Sequence, residues 1–249
     1  MSAKSLASDS DLGKWQFRTT HWSAVLAARN GLLPESERAL GTLCQTYWYP
    51  VYAFVRRKGH SHHEAEDLTQ GFFVFLLSKE GFQRADRSRG RLRSFLLTSL
   101  RHFLTNEWAR RSAARRGGKY SFVPWHTTEA EGKYLREAAE TQTPERAFER
   151  NWALSVLDSA LALLRSEYER AGKAAFFDAL QVFLSGTEVK QSYSQAAAHL
   201  NVPEGTARVC VHRLRRRYGE LLRQQVAQTV GTSKDVGDEL RCLMSALNS

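Results

Sequence analysis

The run from His60 to Asp67 concentrates the residue types that most readily do chemistry. His62 with Glu66, and His63 with Asp67, are i, i+4 pairs. On a helix that spacing puts both members of a pair on one face, where an imidazole and a carboxylate can hold zinc. A metal hydrolase needs a third ligand and an open coordination position. No second HxxxE or HxxxH element occurs in the chain. The bland account is a loop followed by an acid-rich first turn, which the helix dipole favours. No metal and no cofactor is therefore expected. Cys44, Cys210 and Cys242 are odd in number, far apart and form no CxxC pair, which argues against structural zinc and fits a reducing compartment. As oxidation sensors they are weaker candidates than as buried, inert thiols.

A second kind of chemistry lies in the arginines. The chain has 249 residues and a net charge of +10, with a pI near 9.8. Such a balance predicts an acidic partner, either nucleic acid or an anionic membrane. The charge falls in two blocks. Between Arg84 and Lys119, Arg84, Arg87, Arg89, Arg91, Arg93, Arg101, Arg110, Arg111, Arg115 and Arg116 are opposed only by Asp86 and Glu107. The second block is Arg208, Arg213, Arg215, Arg216, Arg217 and Arg223, opposed by Glu220. In the first block Leu97, Leu100, Leu104 and Trp108 make one helical stripe. Thr98, His102, Thr105, Asn106 and Ala109 make the other, flanked by Arg101 and Arg110. Hydrogen-bonding side chains beside cations suit single-stranded or opened nucleic acid. Phe103 and Trp108 could stack on bases, although aromatics on helices more often pack in cores.

The elements that carry these residues read as helices throughout. Period-2 alternation is absent and long 3.6-period segments dominate. Helices are predicted at about 21–29, 36–58, 62–78, 92–113, 145–170, 173–185, 193–200 and 204–226, with a short one from Asp235 to Leu247. Ser61 and Glu64 form a capping box before Ala65, Leu68, Phe72, Phe75 and Leu76, a stripe that buries one side. Asp67, Gln70 and Val74 lie on another side, free for a partner, and Phe73 falls between the two sets. Gly117 and Gly118 end the long basic helix. Residues 118–143 are polar, comparatively acidic and poorly periodic, and read as a linker. Thr143, Pro144 and Glu145 then open a helix well. The chain is thus expected to be all-α, with domains at 15–117 and 144–230, a linker at 118–143 and an extension at 231–249. No apolar run approaches the ~20 residues of a membrane span. Met1 to Lys14 lacks an apolar signal core, which argues against export.

Ser192 to Arg217 has the parts of a helix-turn-helix. Ser192 and Gln195 form a second capping box, and Ala197 is small enough for a close crossing. Leu200 and Val202 anchor the turn, and Pro203 suits the start of the next helix. Ala207, Val211, Leu214 and Tyr218 make its buried stripe. Arg208, His212, Arg215 and Arg216 lie opposite. Arg208 is the best candidate for a bidentate base contact, and Arg213, Arg216 and Arg217 could hold phosphates.

Together these residues resemble a bacterial sigma factor of the extracytoplasmic-function (ECF) group, in the sigma-70 family. Tyr47 to Arg57 and Ala65 to Phe73 resemble the first helices of its sigma-2 domain. Leu92 to Arg116 resembles the part that melts the promoter and reads the minus-ten element. Ser192 to Arg217 resembles the sigma-4 helix-turn-helix that reads the minus-thirty-five element. Thr19 to Leu26 and the C-terminal tail resemble a subgroup of ECF-like factors. His102, Asn106, Val209 and Cys210 depart from the residues usual at their places. The resemblance implies two helical domains, a sigma-2-like bundle and a sigma-4-like helix-turn-helix. It implies a non-enzymatic transcription initiation factor of the bacterial cytoplasm, associated with the nucleoid. Core RNA polymerase would bind through the clamp of its largest subunit to Asp67, Gln70, Phe73 and Val74. Minus-ten DNA would meet Arg101, His102, Asn106, Arg110 and Arg111. Minus-thirty-five DNA would meet Thr206, Arg208, His212, Arg213 and Arg216. The resemblance also allows an anti-sigma factor or another regulator as partner. The competing reading is a helix-turn-helix regulator that binds DNA without polymerase.

Overall fold

The computed structural model describes residues 22, 34–78, 91–113, 127–137, 143–184 and 192–248. All regular structure among the described residues is helical. The expected helix at 21–29 lies outside them except for Trp22, as do Gly117 and Gly118 and the basic residues between Arg84 and Arg89 and beyond Arg111.

Helix α1 spans Pro34–Arg57 and buries Leu43, Tyr47, Val51 and Phe54 along one stripe. It stops at Gly59, whose φ of 93° lies in the left-handed region that a Cβ disfavours. Helix α2, His62–Leu77, starts at the capping box expected for it. The Glu64 amide donates to Ser61 Oγ at 3.4 Å, and the Ser61 amide to Glu64 Oε2 at 3.0 Å. Helix α3 spans Leu92–Ala113. Helix α5 spans Pro144–Arg170, capped by Thr143, which accepts from the Arg146 amide.

Between them the sequence suggested only a linker, but Thr127–Glu137 forms helix α4. Its apolar residues are only Ala130, Tyr134 and Leu135, and Gly132 stands in its middle, so it has little helical signal of its own. It is held by polar contacts to α1. Glu131 accepts from Arg56 Nε and Nη2 at 3.0 and 2.7 Å, and Tyr134 lies under the Arg56 guanidinium at 4.5 Å. Tyr49 donates to Glu137 at 3.0 Å. Tertiary partners 75 or more residues away therefore decide this helix.

The rest of the chain folds as α6 (Ala174–Leu180) with a 3-10 turn at Gln181–Leu184, α7 (Tyr193–His199), α8 (Glu204–Ala227) and α9 (Val236–Leu247). Two apolar cores result. The first joins α1, α2 and α3 to Phe148, Trp152 and Val156 of α5, to Val226 of α8 and to Leu243 of α9. The second joins Ala160 and Leu164 of α5 to α6, to Ala196 of α7 and to Val211, Leu214 and Leu221 of α8. Helix α5 thus belongs to both cores, and α9 returns to the first.

That return is fixed by charge. Glu239 of α9 has no exposed surface, yet it carries a carboxylate. Arg93 Nε lies 2.8 Å from it and Arg91 Nε 2.9 Å. Arg93 also reaches Glu149 at 2.8 Å and sits 4.9 Å over the Trp152 ring. The Leu92 amide donates to the Thr229 carbonyl at 3.0 Å. Arg93, expected on a cationic surface, is instead buried, and Arg91 is turned toward the same carboxylate. Removing one partner of a buried ion pair leaves uncompensated charge, which costs about 3–5 kcal/mol. Glu239→Ala should therefore lower the unfolding free energy by about that amount in urea titration. A loss below about 0.5 kcal/mol, the size of an ordinary surface change, would mean the pair is solvated.

Candidate nucleic-acid and partner interface

Helix α2 buries Ala65, Leu68, Thr69, Phe72, Phe73 and Leu76. Phe72 packs edge-on to Phe103 of α3, with ring centroids 5.9 Å apart. The two helices approach closely at Gly71, where a Cβ would lie 3.2 Å from the Phe103 ring. The outward face is Asp67, Gln70, Val74 and Leu77, spaced as one stripe, with Asp67, Val74 and Leu77 exposed and Gln70 half-buried. Val74 and Leu77 are apolar side chains at 50% and 43% exposure, so this stripe offers water both amide or acid groups and hydrocarbon. Phe73, which falls between the two sets in the sequence and which the resemblance makes a polymerase contact, is 7% exposed and packs against Phe72. Leu77 was missed, although it stands three residues after Val74 on the same stripe.

Helix α3 turns Leu92, Leu96, Leu100 and Phe103 inward, with Leu97 and Leu104 half-buried. The buried stripe is rotated from the expected one, and this separates the two aromatics. Phe103 is covered by Phe72 and Phe75. Trp108, expected in the apolar stripe, is 73% exposed. The physical reason is length: past Leu104 the helix leaves the core. Arg101, His102, Thr105, Asn106, Ala109 and Arg110 are also exposed on α3. Arg101 pairs with Glu145 at 2.9 Å, which holds the Glu145 carboxyl below the usual carboxylate range. Arg110 lies 3.2 Å from Glu107. The side chain of Arg111 lies outside the described residues.

The α7–α8 pair has the expected helix-turn-helix parts. The Gln195 amide donates to Ser192 Oγ at 3.2 Å, and the Ser192 amide to Gln195 Oε1 at 2.9 Å. Ala196 and Ala197 are buried at the crossing. Asn201 takes a φ of 51° in the turn, a left-handed conformation that asparagine tolerates better than most residues. The Val202 amide closes the turn on the Ala197 carbonyl at 3.0 Å. Ala207, Val211, Leu214 and Leu221 of α8 face inward.

The arginines of α8 divide into two groups. Arg215 donates from Nε and Nη2 to the Phe183 carbonyl at 2.9 and 2.8 Å. Arg217 donates to both oxygens of Glu167 at 2.9 and 2.7 Å, and to Glu220. That fork holds the Glu167 carboxyl below its ordinary range. Arg215 is exposed, as the sequence has it, yet is tethered to this carbonyl, and Arg217, read from sequence as a phosphate contact, is half-buried and ties α8 to α5. Thr206, Arg208, His212, Arg213 and Arg216 remain exposed. Arg208 is 2.6 Å from Glu204 and lies 5.2 Å over the Tyr193 ring, which stacks on Phe183. With Ser192 and Ser194 these residues line an open cleft at the start of α8.

At the start of α2, His62 and His63 both approach Glu66, at 3.2 and 3.8 Å, whereas the sequence paired His63 with Asp67. All three cysteines are free and half-buried. Burial pushes the Cys44 thiol up to about 11, which keeps it protonated and unreactive near neutral pH. No described helix is long and apolar enough to cross a membrane.

Comparison with known families gives one finding. Residues 43–114, from within α1 to the end of α3, match the family described as Sigma-70 region 2. The stretch that carries most of α1 with α2 and α3 is therefore similar to Sigma-70 region 2. No curated protein and no solved structure matches the chain significantly.

An exposed indole on a helix that also exposes Asn106 and Arg110 can accept a base on its face. Base stacking on an aromatic is worth about 1–3 kcal/mol. Trp108→Ala should weaken binding of a short single-stranded DNA by that order in fluorescence anisotropy, with unfolding changed by less than about 0.5 kcal/mol. Unaltered binding would remove Trp108 from the interface.

Proposed function

We propose that the protein is a transcription initiation factor, a sigma factor of the ECF group. It recruits core RNA polymerase to promoters and helps to open them. The observation that carries this reading is the coincidence of the Sigma-70 region 2 match with the helices that hold both exposed surfaces. Within it, Asp67, Gln70 and Val74 form the contact for the clamp of the largest polymerase subunit, and Leu77 extends it. Phe73 supports this face from beneath. Arg101, His102, Asn106, Arg110 and Arg111 meet minus-ten DNA. Thr206, Arg208, His212, Arg213 and Arg216 meet the minus-thirty-five element from the 144–230 domain. The protein has no catalytic residues in this reading, and it acts in the cytoplasm at the nucleoid. An anti-sigma factor or similar regulator would compete for the same surfaces.

Magnitudes favour DNA over the internal partners now held by these arginines. The Arg208–Glu204 pair is an exposed i, i+4 pair with Arg208 at 63% exposure, worth about 0.3–0.5 kcal/mol. A bidentate contact to a base contributes about 1–3 kcal/mol. Exchanging one for the other is therefore favourable. The Arg101–Glu145 pair is exposed too and can open in the same way. Arg217, forked onto Glu167 and Glu220, is not free to do so.

Two experiments test the reading. Asp67→Ala and Gln70→Ala should each reduce capture of core polymerase by the tagged protein without altering its circular dichroism spectrum. Normal capture by both variants would mean that this stripe is not the clamp contact. Arg208→Ala should lose about 1–3 kcal/mol of upstream promoter affinity in a footprint with the holoenzyme. Tight, sequence-specific duplex binding by the chain alone, with no capture of polymerase, would favour a polymerase-independent regulator instead.

A further inference from the structure

The start of α2 holds a side-chain cluster that the transcription reading does not use. Tyr52 of α1 donates its hydroxyl proton to Glu131 Oε2 at 2.5 Å. Burial works against the charge on Glu131, but bonds from Arg56 and Tyr52 hold its carboxyl below the usual range, so it is the acceptor. The same Tyr52 oxygen lies 2.7 Å from His62 Nδ1. Tyr52 has one proton and has already given it away. His62 Nδ1–H must therefore be the donor in that contact. The contact fixes the ring so that Nε2 points away from Tyr52.

That nitrogen faces a carboxylate. His62 Nε2 is 3.2 Å from Glu66 Oε1, and this oxygen is buried with no hydrogen-bond partner among the described residues. On its other side Glu66 presents Oε2 to His63 Nδ1 at 3.8 Å. Two imidazole nitrogens and a carboxylate thus converge, with ligand atoms within 4.8 Å of one another. The buried, unpartnered Glu66 oxygen and the two imidazoles thus present three ligand atoms to one point.

We propose that His62, His63 and Glu66 bind a divalent cation of the zinc class. Two imidazoles and one carboxylate suit a borderline-soft metal, and a fourth position is left for water. Tetrahedral bonds of ~2.0–2.1 Å place ligand atoms roughly 3.3 Å apart. The His62–Glu66 distance already meets this. His63, at 89% side-chain exposure, is free to move the remaining distance. The outer shell is also built: a ligating histidine commonly donates its second N–H to an anchored polar group. Here that role falls to Tyr52, itself held by Glu131, which Arg56 anchors. The positive end of the α2 dipole opposes the cation, and the Glu66 carboxylate offsets it. The metal would sit on the first turns of α2, next to the Tyr52–Glu131 contact that joins α1 to α4. The proposal does not depend on the transcription reading.

Cobalt(II) serves as the probe, added to chelator-stripped full-length protein while its visible absorption is followed. The site predicts a band that saturates near one equivalent and is displaced by zinc. Glu66→Gln and His63→Ala should each weaken binding by at least tenfold, with unchanged circular dichroism. Asp67→Asn, next in sequence but outside the cluster, should bind as the parent does. No saturable band, or binding that survives in the Glu66→Gln, His63→Ala double variant, would overturn the proposal; the latter marks adventitious binding elsewhere on the chain.

Discussion

A carboxylate with no access to water cannot stay charged alone, and Glu239 is the point from which much of this molecule is organised. Its partners, Arg91 and Arg93, open the helix that carries the basic surface. Arg93 extends the network to Glu149 and lies over Trp152 of α5. One charge on α9 thereby sets where α3 begins, how it meets α5 and where α9 itself lies. Apolar burial alone is non-directional and would allow α9 to slide. The fork of two guanidiniums onto one carboxylate does not.

The same logic sorts the arginines into two populations. Those with an internal anion or carbonyl within reach hold helices together: Arg56 on Glu131, Arg93 on Glu239, Arg215 on the Phe183 carbonyl and Arg217 on Glu167. Those without one among the described residues, or with only a weak exposed pair, remain for a partner: Arg110, Arg208, Arg213 and Arg216. Net charge counts both populations alike, so it overstates the surface available to DNA. It still identifies the right helices, because each population lies on both α3 and α8 or beside them.

Aromatic residues divide in a parallel way. On α3, Phe103 and Trp108 are five positions apart and fall on different sides of the helix. Phe103 meets α2 at Gly71, where the helices come close, while Trp108 lies beyond the end of the core. On α2, Phe72 and Phe73 are adjacent, yet both are buried because α2 is covered over a wide arc. Helical spacing alone assigns neither outcome, since it defines relative angle but not how much of the circumference is covered.

Periodicity and caps made most of the helices legible. The Ser61–Glu64 and Ser192–Gln195 boxes, the Thr143–Pro144 start and the small residues at the α7–α8 crossing act within a few positions of one another, so the sequence alone determines them. It likewise determined the Asp67, Gln70 and Val74 stripe and the exposed row of α8. Tertiary structure alone decided that Thr127–Glu137 is a helix, that α5 serves two cores, and that Phe73 and Arg93 are buried while Trp108 is not. It also brought His62, His63 and Glu66 together and oriented His62 through Tyr52. Each of these rests on a partner many residues away, such as Glu131 for Arg56 or Glu239 for Arg93. Local pattern carries a residue's angle around its helix. Only the folded chain supplies the charge or ring that meets it there.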